Sequence, residues 1–84
     1  MNKDDILELI IKHAREVLPS LDDRALAGTD SLRDLGANSM DRSEIVMMTL
    51  ETLDIDMPLA ETIKASNMGE LAALLADRKA GTPA

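Results

Sequence analysis

The sequence predicts an all-α domain: a small bundle of three to four helices with a long loop between the first and second. Three observations predict this class. Apolar residues recur at helical spacing in three separate stretches. No stretch shows the strict alternation or β-branched richness of a strand. Glycine, proline and Asx residues gather between those stretches, where connections belong.

The first helix is expected from about Asp4 to Leu18. Ile6, Leu7, Ile10, Ile11, Ala14, Val17 and Leu18 form one apolar stripe. Asp4 and Asp5 sit in the first turn, where they complement the helix dipole. Pro19 ends the helix, because the residue before a proline is pushed out of the helical region. From Ser20 to Ala37 the periodicity fades, yet Leu21, Leu26, Leu32 and Leu35 persist. A long loop with spaced leucines is expected to be pinned to a core, and long loops in small domains are usually functional. Leu32 and Leu35 suit a single helical turn.

A second helix is expected from Asn38 or Ser39 to about Leu53, with Ile45, Val46, Met47, Met48, Leu50 and Leu53 as its apolar side. Asn38 is a good N-cap, and Asp41 puts a carboxylate in the first turn. Pro58 closes the next loop, and a brief helical turn is expected from about Leu59 to Ile63. Asn67 with Glu70 then resembles a capping arrangement for a last helix, whose apolar face is Met68, Leu71, Ala72, Leu74 and Leu75. Residues 1–78 make the domain, and residues 79–84, with Gly81 and Pro83, read as a flexible tail.

The chain has 84 residues and no cysteine, so one thin core of aliphatic side chains must hold it without disulfide or thiolate metal site. Aromatic residues are absent, which argues against base stacking and against an aromatic-lined pocket. Nine Lys and Arg against sixteen Asp and Glu give a net charge of −7. That surface repels phosphate backbones and anionic lipids, so neither nucleic acid nor membrane is an expected partner. It would attract a protein with a basic face. The acidic start, Met1-Asn2-Lys3-Asp4-Asp5, is unlike a secretory signal, and no apolar run approaches membrane-spanning length. A soluble, cytoplasmic monomer is expected.

The informative stretch is Leu35-Gly36-Ala37-Asn38-Ser39-Met40-Asp41. A glycine breaks the loop, an Asx residue caps, and a serine opens a helix. Ser39 is thereby placed beside unpaired N–H groups at the positive end of a helix, which suits an anion. On residue types alone, Ser39 reads first as an ordinary helix-start serine.

This stretch, together with Asp30-Ser31-Leu32 and Glu44-Ile45-Val46-Met47, resembles the acyl carrier protein family over nearly the whole chain. The resemblance implies that Ser39 accepts 4′-phosphopantetheine from coenzyme A, delivered by a phosphopantetheinyl transferase. It implies a carrier without a catalytic site of its own, whose arm bears an acyl thioester. Asn38 stands where the family usually has Asp, and Met40 where it has Leu. Asn38-Ser39-Met40-Asp41-Arg42 and the residues after it look most like one branch, the free-standing donor carriers of polyketide β-branching. That resemblance implies an acyltransferase that loads malonyl, a decarboxylating ketosynthase-like enzyme that leaves acetyl, and an HMG-CoA-synthase-like enzyme that uses it. A role in another fatty-acid, polyketide or non-ribosomal peptide pathway is the alternative.

Partner docking is expected on the second helix. Asp41, Glu44 and Glu51 would meet basic patches, and Met40, Val46 and Met47 would form an apolar centre. Arg42 is a solvated cation, or else a partner for a phosphate or for an acid on another protein. A serine hydrolase is excluded: His13, the only histidine, sits at the edge of the first helical stripe, and there is no Gly-x-Ser-x-Gly elbow. The spacing of an EF-hand is missing as well. Six methionines keep one rival of another class open, an unmodified acidic helical interaction module. Thr49, one turn after Ile45, is expected to face inward and bond back to that carbonyl. A small polar residue there could also shape a cavity for cargo.

Overall fold

A computed structural model describes residues 2–81. Four α-helices follow one another: α1 (Lys3–Val17), α2 (Ser39–Leu53), α3 (Leu59–Thr62) and α4 (Met68–Gly81). A 3₁₀ turn, Pro19–Leu21, follows α1, and the described residues contain no strand. The expected fold class and the long first loop are both present.

Helix α1 starts where the Asn2 side chain accepts the Asp5 N–H at 2.9 Å. It packs against both α2 and α4, while α2 also contacts α3. Ile6, Ile10 and Ala14 are fully buried on α1 and meet Ile45, Leu50 and Leu53 of α2 and Met68, Leu71, Ala72 and Leu75 of α4. Each large aliphatic side chain so enclosed contributes about 1.5–3 kcal/mol. His13 lies inside this frame rather than at its edge, 7% exposed. Its Nε2 is 3.3 Å from the Thr52 hydroxyl of α2. The Thr52 hydroxyl also donates to the Met48 carbonyl at 2.9 Å. Nδ1 lies 3.3 Å from Glu16 Oε1 without a well-formed hydrogen bond.

The long loop is pinned as its leucines predict. Leu21 and Leu32 are buried, and Leu26 and Leu35 pack against the core. Arg15 donates to the Arg24 carbonyl, and Asp30 accepts the Ala27 N–H. The loop also reaches α4, where the Gly28 and Asp30 carbonyls accept the Gly69 and Met68 N–H groups at 2.8 and 3.0 Å. Gly28 and Gly69 make this approach possible: a Cβ on Gly69 would stand 3.0 Å from the Gly28 oxygen. The start of α4 is further fixed by Asn67, which accepts the Glu70 N–H at 2.7 Å, as its sequence suggests.

The C-terminal boundary differs from expectation. Helix α4 continues through residues 79–81, and Lys79 donates to the Leu53 carbonyl at 2.8 Å. A lysine thereby satisfies a carbonyl left open at the end of α2. The remainder of the expected tail, residues 82–84, lies outside the described residues.

Candidate functional site

The chain enters α2 through a set of local constraints. Leu35 N–H bonds the Ser31 carbonyl, and Ala37 N–H bonds that of Leu32, closing the helical turn expected there. Gly36 follows at φ 102°, a conformation a side chain would strain. Ala37 is then buried, and Asn38 adopts the extended conformation of an N-cap. Asn38 Oδ1 accepts the Asp41 N–H at 2.8 Å, and Asp41 Oδ2 accepts the Asn38 N–H at 3.2 Å. This reciprocal capping box fixes Ser39 as the first helical residue, exposed to solvent.

Accounting for the first N–H groups shows what is left for a ligand. The Asn38 side chain takes that of Asp41, and the Asn38 carbonyl takes that of Arg42 at 2.9 Å. The N–H groups of Ser39 and Met40 have no partner among the described residues. Arg42 adds a cation close by, because its Nη1 reaches back to the Ala37 carbonyl at 2.8 Å. Two free donors, the helix dipole and a guanidinium make a fitting place for a phosphodiester on the serine oxygen.

Ser39 stands on the rim of two depressions. One is a cleft of about 770 Å³ between the 31–34 turn, α2, α3 and the segment leading into α4. Arg33, Arg42, Ser43 and Val46 line it on one side, and Ile63 and Asn67 on the other. The other is a shallower groove of about 430 Å³ along the outer face of α2.

The residues expected to dock partners divide accordingly. Met40, Glu44, Met47 and Glu51 share the outer groove at spacings of four, three and four residues, a single helical stripe. Met40 is 80% exposed and Met47 55%. Val46 is corrected: it is 7% exposed and turned to the core and inner cleft, one helix face away from Met47. Asp41 is held in the capping box, and Arg42 is tied to the loop rather than freely solvated. Thr49 donates to the Ile45 carbonyl at 2.8 Å, fully buried as expected, but lines neither depression. The sequence reading passed over Arg33 and Ser43. Arg33 carried a usable signal, since like Arg42 it is a cation in an acidic chain.

Comparison with known proteins agrees with this geometry. Residues 8–75 match the family described as "Phosphopantetheine attachment site". The chain belongs to the acyl carrier proteins. Its carrier domain is 44% identical over 78 residues to the "Polyketide biosynthesis acyl-carrier-protein AcpK" of Bacillus subtilis, covering 93% of this chain and 95% of that one. It is 33% identical over 73 residues to a chloroplastic acyl carrier protein of Brassica napus, covering 87% of this chain and 54% of that one. Among solved structures it resembles a chain from the "Curacin Biosynthetic Pathway HMG Synthase in Complex with Acetyl Donor-ACP". That match has a TM-score of 0.88 and 45% identity, and covers 92% of this chain and 99% of the other. The cofactor of such a carrier domain is covalent 4′-phosphopantetheine. Carriers of this family are in general not catalysts. Among the described residues no helix is long and apolar enough to cross a membrane.

Proposed function

We propose that this acyl carrier protein is the donor carrier of a polyketide β-branching system, with its phosphopantetheine arm on Ser39. An acyltransferase loads malonyl, a decarboxylating ketosynthase-like enzyme leaves acetyl, and an HMG-CoA-synthase-like enzyme takes that acetyl. The observation that carries this reading is the likeness, at 45% identity over 92% of the chain, to a structure described as an acetyl donor carrier with its HMG synthase.

The carrier's own residues bind and present; none acts as a base. When bound, the arm supplies the thiol that holds the acyl group as a thioester. Ser39 Oγ would anchor it, and the free N–H groups of Ser39 and Met40 with Arg42 would hold its phosphodiester. Tethering keeps the cargo at a high effective concentration beside each docked enzyme. The Met40–Glu44–Met47–Glu51 stripe offers an apolar centre flanked by acids, which suits brief docking to a basic partner surface.

Intact mass after incubation with coenzyme A and a broad-specificity phosphopantetheinyl transferase tests the anchor. One phosphopantetheinyl group is expected on the wild type and none on Ser39→Ala. Gain of the group by Ser39→Ala would move the attachment site. No gain by either protein would favour the unmodified interaction module, for which Met40 and Met47 would be the binding surface. Loading with acetyl and incubation with an HMG-CoA-synthase-like enzyme then tests the donor role: loss of acetyl mass from the carrier is expected.

A further inference from the structure

The inner cleft contains a cation with no local task. Arg33 lies on the 31–34 wall, exposed, and its side chain makes no hydrogen bond or ion pair among the described residues. Arg42, on the α2 wall, is anchored to the Ala37 carbonyl and so belongs to the Ser39 end. The opposite wall offers Ser66 and Asn67 beside the apolar Leu59 and Ile63. Ser43 adds a further hydroxyl from α2. A volume of about 770 Å³ lies within the usual range for a small-molecule site.

That lining matches a particular occupant. A pantetheine arm has amides and methyl groups along its length, which the mixed wall can satisfy. It starts on the cleft's rim at Ser39. What an unengaged guanidinium adds is a preference for an arm that ends in a carboxylate. Asp34, also on the cleft, opposes any anion placed on its side and so favours the approach through Arg33.

We propose that this cleft retains a short acyl thioester ending in a carboxylate, of the malonyl class, and that Arg33 is the residue that recognises it. The inference rests on attachment at Ser39. When a partner enzyme removes the carboxylate as carbon dioxide and the resulting enolate takes up a proton, the acetyl thioester left behind has nothing for Arg33 to hold. The carrier itself then discriminates the two stages of its cargo: the carboxylated form lies folded against α3, and the decarboxylated form is free for transfer. The arm's phosphodiester is the other anion within reach, so the comparison must separate the two.

Amide NMR spectra of the full chain in four states provide that comparison: apo, with the free-thiol arm, with acetyl and with malonyl. The intact mass of every sample establishes its loading before spectra are read. Malonyl is expected to shift the amides of Arg33 and of residues 62–68 beyond both acetyl and the free thiol. The folded-back population should rise about fivefold, the upper end for an exposed arginine–carboxylate pair. Arg33→Gln should collapse the malonyl spectrum onto the acetyl one, and Arg33→Lys should restore part of the difference. Equal shifts for malonyl and acetyl would overturn the proposal. So would a free-thiol arm that already produces the full effect, since the phosphodiester would then be the bound anion. Failure of the wild type to gain mass would overturn attachment at Ser39, and this inference with it.

Discussion

Replacing Asn38 by Ala removes one half of the device that sets Ser39 at the head of α2. The Asn38 oxygen is the partner of the Asp41 N–H at 2.8 Å, and the Asp41 carboxylate returns the bond to the Asn38 N–H at 3.2 Å. Loss of an N-cap side chain costs about 0.5–2 kcal/mol, typically near 1. For a domain of this size, each 1 kcal/mol lowers the melting temperature by about 4–8 °C. Asn38→Ala should therefore melt roughly 4–8 °C below wild type. Asn38→Asp keeps an acceptor oxygen and adds a charge favourable to the dipole, so it should stay within about 1 kcal/mol of wild type. Urea titrations of Asn38→Ala, Asp41→Ala and the double variant would measure the coupling between the two halves. A coupling of about 0.5 kcal/mol or more is expected for groups that bond each other. Strict additivity, or an Asn38→Ala loss of only a few tenths, would show that the capping box does not hold the entry to α2. The position of Ser39 would then have to be explained by Gly36, Ala37 and Arg42 instead.

Further perturbations test other joints. Gly69→Ala should destabilise by about 1–3 kcal/mol in urea unfolding, because its Cβ would meet backbone atoms of Gly28 that cannot rotate aside. Thr49→Val should stay within about 1 kcal/mol, since the hydroxyl it loses bonds only a carbonyl of its own helix. Unchanged acetyl transfer by that variant is also expected, as Thr49 lines neither depression. Glu61→Gln takes the charge out of the 2.8 Å pair between Glu61 of α3 and Arg78 of α4. With both side chains 38% exposed, calorimetry should show a loss of only about 0.2–1 kcal/mol. Ending the chain after Arg78 removes the Lys79 bond to the Leu53 carbonyl and should cost about 0.5–1.5 kcal/mol relative to the full chain.

Where the sequence was legible, the signals were local. Asn38 with Asp41 and Asn67 with Glu70 announce two helix starts, because capping uses residues three apart in the chain. Pro19 marks the end of α1 for the same kind of reason. The inward face of α2 was harder to choose, because Ile45-Val46-Met47-Met48 is apolar all the way round. Val46 therefore passed for a docking residue, although packing turns it inward and leaves Met47 outside. The extent of α4 is not legible locally, because Gly81 and Pro83 read as fraying whereas Lys79 finds its partner on a distant helix. The inner cleft was not legible at all. Its walls come from three separate parts of the chain, and no local pattern shows Arg33 and Asn67 facing the same space.

The hydrogen bonds from the Gly28 and Asp30 carbonyls to α4 make the molecule's motions lopsided. The first amides of α4 are held by the loop, so they can exchange with solvent only when loop and helix part together. Across the cleft, α3 is four residues long, and its N-cap, Pro58, makes no side-chain capping bond. Short elements with little hydrogen bonding belong to the low-stability end of a structure. Hydrogen exchange should therefore find Gly69 protected and the amides around α3 fast, one stiff jaw and one that yields. Breathing of the carrier is then a movement of α3, and the serine at the head of α2 keeps its place while the wall opposite it opens and closes.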